Sequence, residues 1–151
     1  MAGEDDSIVW GGSNTGLMRV IADEAEKQGC SLIGVTTTIL EATARPSTMN
    51  MFVARDFDER KQLLLKHSDV LIILPGGIGT LDEALCFIEL KKHSLHMKPV
   101  IFLNTRGFFS GLKRQLERSE HEGFLPVPLA QLVYFARSPM EAKVFVQKNY
   151  A

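Results

Sequence analysis

Two glycine-rich stretches carry residue types that could hold an anion: Gly11-Gly12-Ser13-Asn14-Thr15-Gly16 and Pro75-Gly76-Gly77-Ile78-Gly79-Thr80. Each follows a hydrophobic run and precedes an amphipathic one, so each is expected to join a strand to a helix N-terminus. Such a terminus presents unpaired N–H groups and the positive end of the helix dipole. Glycines before it let the backbone approach an anion with no Cβ in the way. Two such loops suit a phosphate or a phosphorylated small molecule. The plainer use of the same glycines is tight closure of two strand–helix turns. Glu83, at the end of Thr80-Leu81-Asp82-Glu83, also has two readings. Thr-x-x-Glu ahead of an apolar helix face is a capping box. A carboxylate beside a phosphate loop can also do chemistry.

Spacing excludes the familiar nucleotide loops. A Walker loop needs Lys and Ser or Thr after its last glycine, and here Gly16 is followed by Leu17-Met18. A dinucleotide fingerprint needs Gly-x-Gly-x-x-Gly. The first loop has Ser13 at the second glycine and the other has Asp82 at the third, and Thr36-Thr37-Thr38 supply no ribose-binding acid. His93 and His96 are three apart on one expected helix face, which suits a metal, but no cysteine or acid cluster joins them. A solvated, lysine-rich helix end explains them. Phe108-Phe109 is assigned to core or dimer contact rather than base stacking. A pyridoxal-phosphate decarboxylase would need a longer chain and a cofactor lysine motif.

The elements that must position these loops alternate in type. Strands are expected at Ser7–Trp10, Ser31–Val35, Phe52–Ala54, Val70–Leu74, Val100–Leu103 and Leu132–Phe135. Helices are expected at 16–28, with Met18, Ile21, Ala22 and Ala25 inward and Gly29 as stop, and at Asp58–His67, where Leu63-Leu64-Leu65 supply core contacts. Further helices are expected at Leu81–Lys92, Phe108–His121 and Pro139–Asn149, the last with Ser138 as N-cap. Glu41–Met49 reads as irregular, and Met1–Asp6 as a disordered, acidic tail unlike a secretory signal. Strand–helix alternation with aliphatic strands implies a parallel α/β sheet covered on both faces, with ligands beyond the C-terminal strand ends. The 151 residues suit one domain, 1–151.

Composition narrows the partners. Hydrophobic residues make up 45%, charged residues 23%, and net charge is −1, which gives no general attraction to nucleic acid or anionic membrane. No apolar run reaches the ~20 residues of a membrane span. Cys30 and Cys86 lack metal or redox spacing and read as reduced, buried thiols, so a cytoplasmic location is expected.

Residues 75–83, with Asp58-Glu59-Arg60-Lys61 and Gly16-Leu17-Met18, resemble the LONELY GUY family, long labelled lysine decarboxylases. Its motif Pro-Gly-Gly-x-Gly-Thr-x-x-Glu is filled at every fixed position, and Arg60-Lys61 fills the upstream Arg-Lys. The resemblance implies a Rossmann-like fold, usually dimeric, that hydrolyses the N-glycosidic bond of a nucleoside 5′-monophosphate, AMP or a cytokinin ribotide, to free base and ribose 5-phosphate. It implies that Gly76, Gly77, Gly79 and Thr80 hold the phosphate, that Arg60 and Glu83 are the catalytic pair, and that no metal or redox cofactor is required. Lys61 would add charge at the phosphate or stand solvated, and Gly11 and Gly12 would complete the nucleotide side.

The chain departs from the family pattern in several places. The family's first strand and helix have no counterpart, so an N-terminally shortened sheet is expected, with association of copies favoured. The glycine run before Gly16 is reduced to Gly11-Gly12-Ser13. Phe57-Asp58 replaces Met-His, and Asp58 would bring negative charge to the phosphate if it pointed inward. Arg45–Asp56 shares little with the cytokinin-type pattern. A non-catalytic nucleotide or molybdenum-cofactor carrier, and an inactive member acting through oligomerisation, are the alternatives.

Overall fold

The computed structural model describes residues 6–46, 48 and 50–150. The expected tail thus lies outside the described residues except for Asp6, as do two residues, 47 and 49, of the irregular stretch. The chain forms two compact units that meet in sequence between Ser68 and Asp69. Each unit carries a three-stranded parallel sheet with its own helices.

In the first unit, β1 (Ser7–Trp10), α1 (Gly16–Lys27), β2 (Ser31–Thr37), β3 (Asn50–Ala54) and α2 (Phe57–His67) alternate, and the strand order is β1-β2-β3. The central strand is the most buried, from Gly34 through Thr37. Helix α1 buries Ala22 and Ala25, while Met18 is 38% exposed. Gly29, at φ +73°, ends it as expected. Its amide reaches Glu26 O and the next amide, Cys30 N, reaches Ala25 O, the paired bonds of a Schellman turn. Of the leucine triplet in α2, Leu64 is buried and its two neighbours are half-buried. Residues Thr38–Thr43 form a 3-10 turn where irregular chain was expected from Glu41 on.

The second unit runs β4 (Leu71–Ile73), α3 (Ile78–Lys92), β5 (Val100–Leu103), α4 (Ser110–His121), a short α5 (Leu129–Leu132), β6 (Tyr134–Ala136) and α6 (Pro139–Tyr150), with order β4-β5-β6. Central β5 is wholly buried. Phe102 packs at 4.9 Å edge-on to Phe109 and stacks at 5.0 Å on Phe135. Phe109 is therefore core, whereas Phe108 is 55% exposed. The strand expected from Leu132 begins at Tyr134 instead. Leu129 and Leu132, both buried and three apart, share the face of one helical turn. The expected cap of α6 forms: Ser138 Oγ accepts the Glu141 amide at 3.2 Å.

Helix α3 differs most from expectation. It starts at Ile78, not Leu81, because extended Gly77 acts as N-cap and its carbonyl takes the Leu81 amide at 3.2 Å. Gly79, a poor helix former, masked that first turn in the sequence.

Candidate functional site

In the first unit the β1–β2 register pairs Trp10 with Gly34, so Gly11 and Val35 are the next residues along the two strands. Arg60 of α2 joins their backbones. Its Nε donates to Val35 O at 2.9 Å and its Nη2 to Gly11 O at 3.2 Å. Only 6% of Arg60 is exposed, so a permanent cation is fixed at the C-terminal edge of this sheet. Gly11 is required by this arrangement, since a Cβ there would run into the guanidinium. Gly12, at φ +73°, is packed below the Met51 sulfur.

The rest of this loop is held by residues that the sequence reading did not single out. Arg45 N donates to Gly12 O at 2.7 Å and Asn14 N to Thr43 O at 2.8 Å, so the loop is zipped to the segment after β2. The Arg45 guanidinium contacts Asp23 and Glu26 of α1, each at 2.7 Å, and donates to Asn14 Oδ1 at 2.9 Å. The Arg45 hydrogen bond holds the Asp23 carboxyl below its ordinary range. The acids at 23 and 26, one turn apart on α1, were the available signal.

Lys61 follows Arg60 but points elsewhere, because successive helix residues diverge by about 100°. It pairs with Asp58 at 3.1 Å. Its side chain is only 15% exposed, so the solvated alternative does not hold, whereas the Asp58 side chain is 84% exposed. Asp58 therefore points to solvent.

In the second unit the glycine loop leads from β4 into α3. A Cβ on Gly76 would strike the Thr80 side chain, whereas Gly77 and Gly79 meet no protein atom at that position. The expected capping box is absent. Thr80 lies inside the first turn of α3, and the N-cap has no side-chain bond. Glu83 is half-buried, three residues beyond Thr80 and four beyond Gly79, hence on the helix face below the loop. Side-chain caps of related form lie at α2 and α6, with the returning carboxylate on the amide just before the N-cap. Asp56 Oδ1 accepts the Glu59 amide at 2.8 Å and Glu59 reaches back to Arg55 N. Ser138 and Glu141 repeat the pattern with Arg137 N. By contrast α1, α3 and α4 carry neither a side-chain cap nor an acid in the first turn.

The two histidines do not share a helix face. His93 caps the end of α3 and pairs with Glu89 at 3.0 Å. His96 lies beyond the helix, with Nε2 on Phe87 O at 2.8 Å and Nδ1 accepting Lys98 N at 3.1 Å. Among the described residues no group of three or more His, Cys, Asp or Glu could hold a metal, and no helix is long and apolar enough to cross a membrane. Both cysteines are free; Cys30 is buried, and Cys86 is half-buried rather than buried as expected.

Comparison with known proteins identifies the family. Residues 18–144 match the family model described as possible lysine decarboxylase. A cytokinin riboside 5′-monophosphate phosphoribohydrolase of Arabidopsis thaliana is 34% identical over 136 residues, 89% of this chain and 64% of that protein. A probable enzyme of the same name from Oryza sativa subsp. japonica is 33% identical over 136 residues, 89% of this chain and 61% of its own length. The chain thus spans under two thirds of these relatives. The molybdenum cofactor binding protein of Rippkaea orientalis has the same fold, with a TM-score of 0.69 at 22% identity, covering 95% of this chain and 77% of that one. With its Rossmann-like α/β architecture and a family match across most of its length, the chain belongs to the LONELY GUY family, whose model still carries the lysine decarboxylase description.

Proposed function

We propose that this chain hydrolyses the N-glycosidic bond of a nucleoside 5′-monophosphate, of AMP or cytokinin-ribotide type, releasing base and ribose 5-phosphate. The observation that carries this reading is the N-terminus of α3. It opens on Gly77 with no side-chain cap and no first-turn acid, and neither Gly77 nor Gly79 is required by packing within the chain. Backbone amides of Gly76, Gly77 and Gly79 with the Thr80 hydroxyl form the phosphate cradle in this reading. The names of the relatives supply the substrate class.

Breaking the bond from C1′ to the base nitrogen sends its electron pair to the base and leaves an oxocarbenium-like sugar. Water adds to C1′, and the base gains a proton. Glu83, one turn below the cradle, is the carboxylate that stabilises the developing charge or takes a proton from the attacking water. Arg60 cannot act as a base. Its fixed charge serves as an anchor for the anionic substrate or as the orienting partner of a carboxylate. Gly11 and Gly12 shape its surroundings, and Lys61 acts as a secondary positive charge. No metal or redox step is included. Copies of the chain are proposed to associate as homo-oligomers, and cytoplasmic chemistry suits the free thiols.

The test is a panel of nucleoside monophosphates assayed for released base, with wild type and Glu83→Ala compared. Base release from at least one nucleotide, lost in the variant, is the expected result. Tight binding with no release would replace the reading with a carrier function. Neither binding nor release would leave it without support for this chain.

A further inference from the structure

Thr37 is the last residue of β2 and is wholly buried. Its Oγ1 is a buried oxygen with no hydrogen-bond partner among the described residues. Leaving a buried hydroxyl unpaired is costly. A valine would fill nearly the same volume without that cost and suits a strand at least as well. The neighbouring threonines are ordinary: Thr36 donates to Thr37 O at 3.5 Å, and Thr38 is exposed. The unpaired hydroxyl also lies close along the strand to a fixed charge. Val35 and Thr37, two apart, share one face of β2, and Val35 O takes Arg60 Nε at 2.9 Å. Strand β2 pairs in parallel with β1, so β1, the glycine loop, α1 and β2 form one crossover unit. In nucleotide-binding units of this topology, a side chain at the end of the second strand, about 20 residues beyond the glycine loop, reads a ribose hydroxyl. Gly16 closes the loop here, and Thr37 ends that strand.

We propose that Thr37 reads a ribose hydroxyl of the nucleotide, which supplies the partner that its Oγ1 lacks. This rests on the nucleotide reading above and names the residue that selects ribonucleotides over deoxyribonucleotides. A threonine hydroxyl both donates and accepts, so it can pair with a sugar hydroxyl in either sense. Unlike the acid usual at this place, it adds no negative charge where Arg60 is fixed. The turn that follows, Thr38–Thr43, buries none of its residues, so displacing it to admit the sugar breaks no core packing. Selectivity comes from the same unpaired group. A nucleotide with the hydroxyl satisfies Thr37, and an analogue without it leaves the buried oxygen as it was.

The experiment measures binding of AMP, 2′-deoxy-AMP and 3′-deoxy-AMP to wild type, Thr37→Val and Thr37→Ser, with urea unfolding of each free protein. Wild type is expected to prefer AMP to one of the deoxy analogues by about tenfold. Thr37→Val should bind AMP about tenfold more weakly and that analogue unchanged, and Thr37→Ser should restore the preference. The free valine variant should unfold at a higher urea concentration, because the unpaired hydroxyl is gone. Equal AMP affinity in wild type and Thr37→Val overturns the proposal, as does a wild type indifferent to both deoxy analogues. A lower urea midpoint in Thr37→Val would give the hydroxyl a partner in the free protein and overturn it too. Thr37→Ala takes the place of the valine variant if that one does not fold. Base release from AMP by the same proteins separates the two readings. Binding that depends on Thr37 without release removes hydrolysis and leaves this assignment standing. Release with an unchanged KM in Thr37→Val does the reverse, and a wild type that binds no AMP removes both.

Discussion

The guanidinium of Arg60 occupies the space into which a Cβ at position 11 would project, and its Nη2 holds Gly11 O at 3.2 Å. Glycine at 11 and arginine at 60 are thus one structural requirement, 49 residues apart in sequence. Gly11→Ala should displace the guanidinium from the carbonyls of both Gly11 and Val35. Hydrogen bonds to a buried charge contribute about 1.5–3 kcal/mol each. A loss of about 2 kcal/mol or more is expected in urea unfolding. Arg60→Lys should lose a similar amount, since an ammonium cannot present the same planar fork. An unchanged midpoint in either variant would show that the bridge contributes nothing.

Glu83 is released from the capping role that its sequence position suggested, because α3 starts three residues earlier than the motif implied. Glu83→Gln is therefore expected to lower base release by about a hundredfold or more, the usual scale for losing a general acid–base group. Stability should fall by less than the ~1 kcal/mol typical of a lost cap. Melting curves beside turnover rates make the separation. A variant that melts earlier yet turns over normally would return Glu83 to a structural role.

Ser94 ends α3 in the left-handed region at φ 59°, where α1 and α4 place Gly29 and Gly123. The bonds are the same in kind: Ser94 N to Lys91 O, and Leu95 N to Leu90 O. A side chain in that conformation costs about 1 kcal/mol, which glycine avoids. Ser94→Gly should stabilise the chain by roughly 0.5–1 kcal/mol, less its greater unfolded-state entropy. Calorimetry should show a melting rise of about 2–4 °C per kcal/mol gained. A fall in melting temperature would mean that the serine side chain stabilises the turn.

His96 links folding to pH. Burial, opposed by the bond to Phe87 O, lowers its pKa below the ordinary 6.5. The neutral ring is also the form that accepts the Lys98 amide at Nδ1. The unfolded chain therefore binds a proton more readily than the folded one. Stability should fall as pH drops below about 6.5, until the folded histidine is itself protonated. Denaturant midpoints at about pH 7.5 and about pH 5.5 check this. Wild type should lose more stability between them than His96→Asn, and equal losses would remove His96 from the linkage.

Much of the molecule was legible in the chain alone. β1 and β5 fell at their expected ends, since short apolar runs of three and four residues bounded by glycine or proline and polar residues leave little choice. The stop at Gly29 and the cap at Ser138 were equally local, set by backbone freedom and one hydroxyl. Both glycine loops do join strands to helices, and the family motif lies in one continuous stretch.

The rest was settled by folding, because those features depend on partners distant in sequence. Composition cannot show that Gly11 makes room for Arg60, that Arg45 staples the first loop to α1, or that Asp58 turns to solvent beside Lys61. Nor can spacing tell a helix that starts at Ile78 from one that starts after the glycines. That choice was made by the extended backbone of Gly77 and the carbonyl it offers to Leu81. Lys91 shows the same limit: in sequence it is one of a lysine pair, and only packing against β5, α5 and α6 leaves it buried while Lys92 meets Glu89.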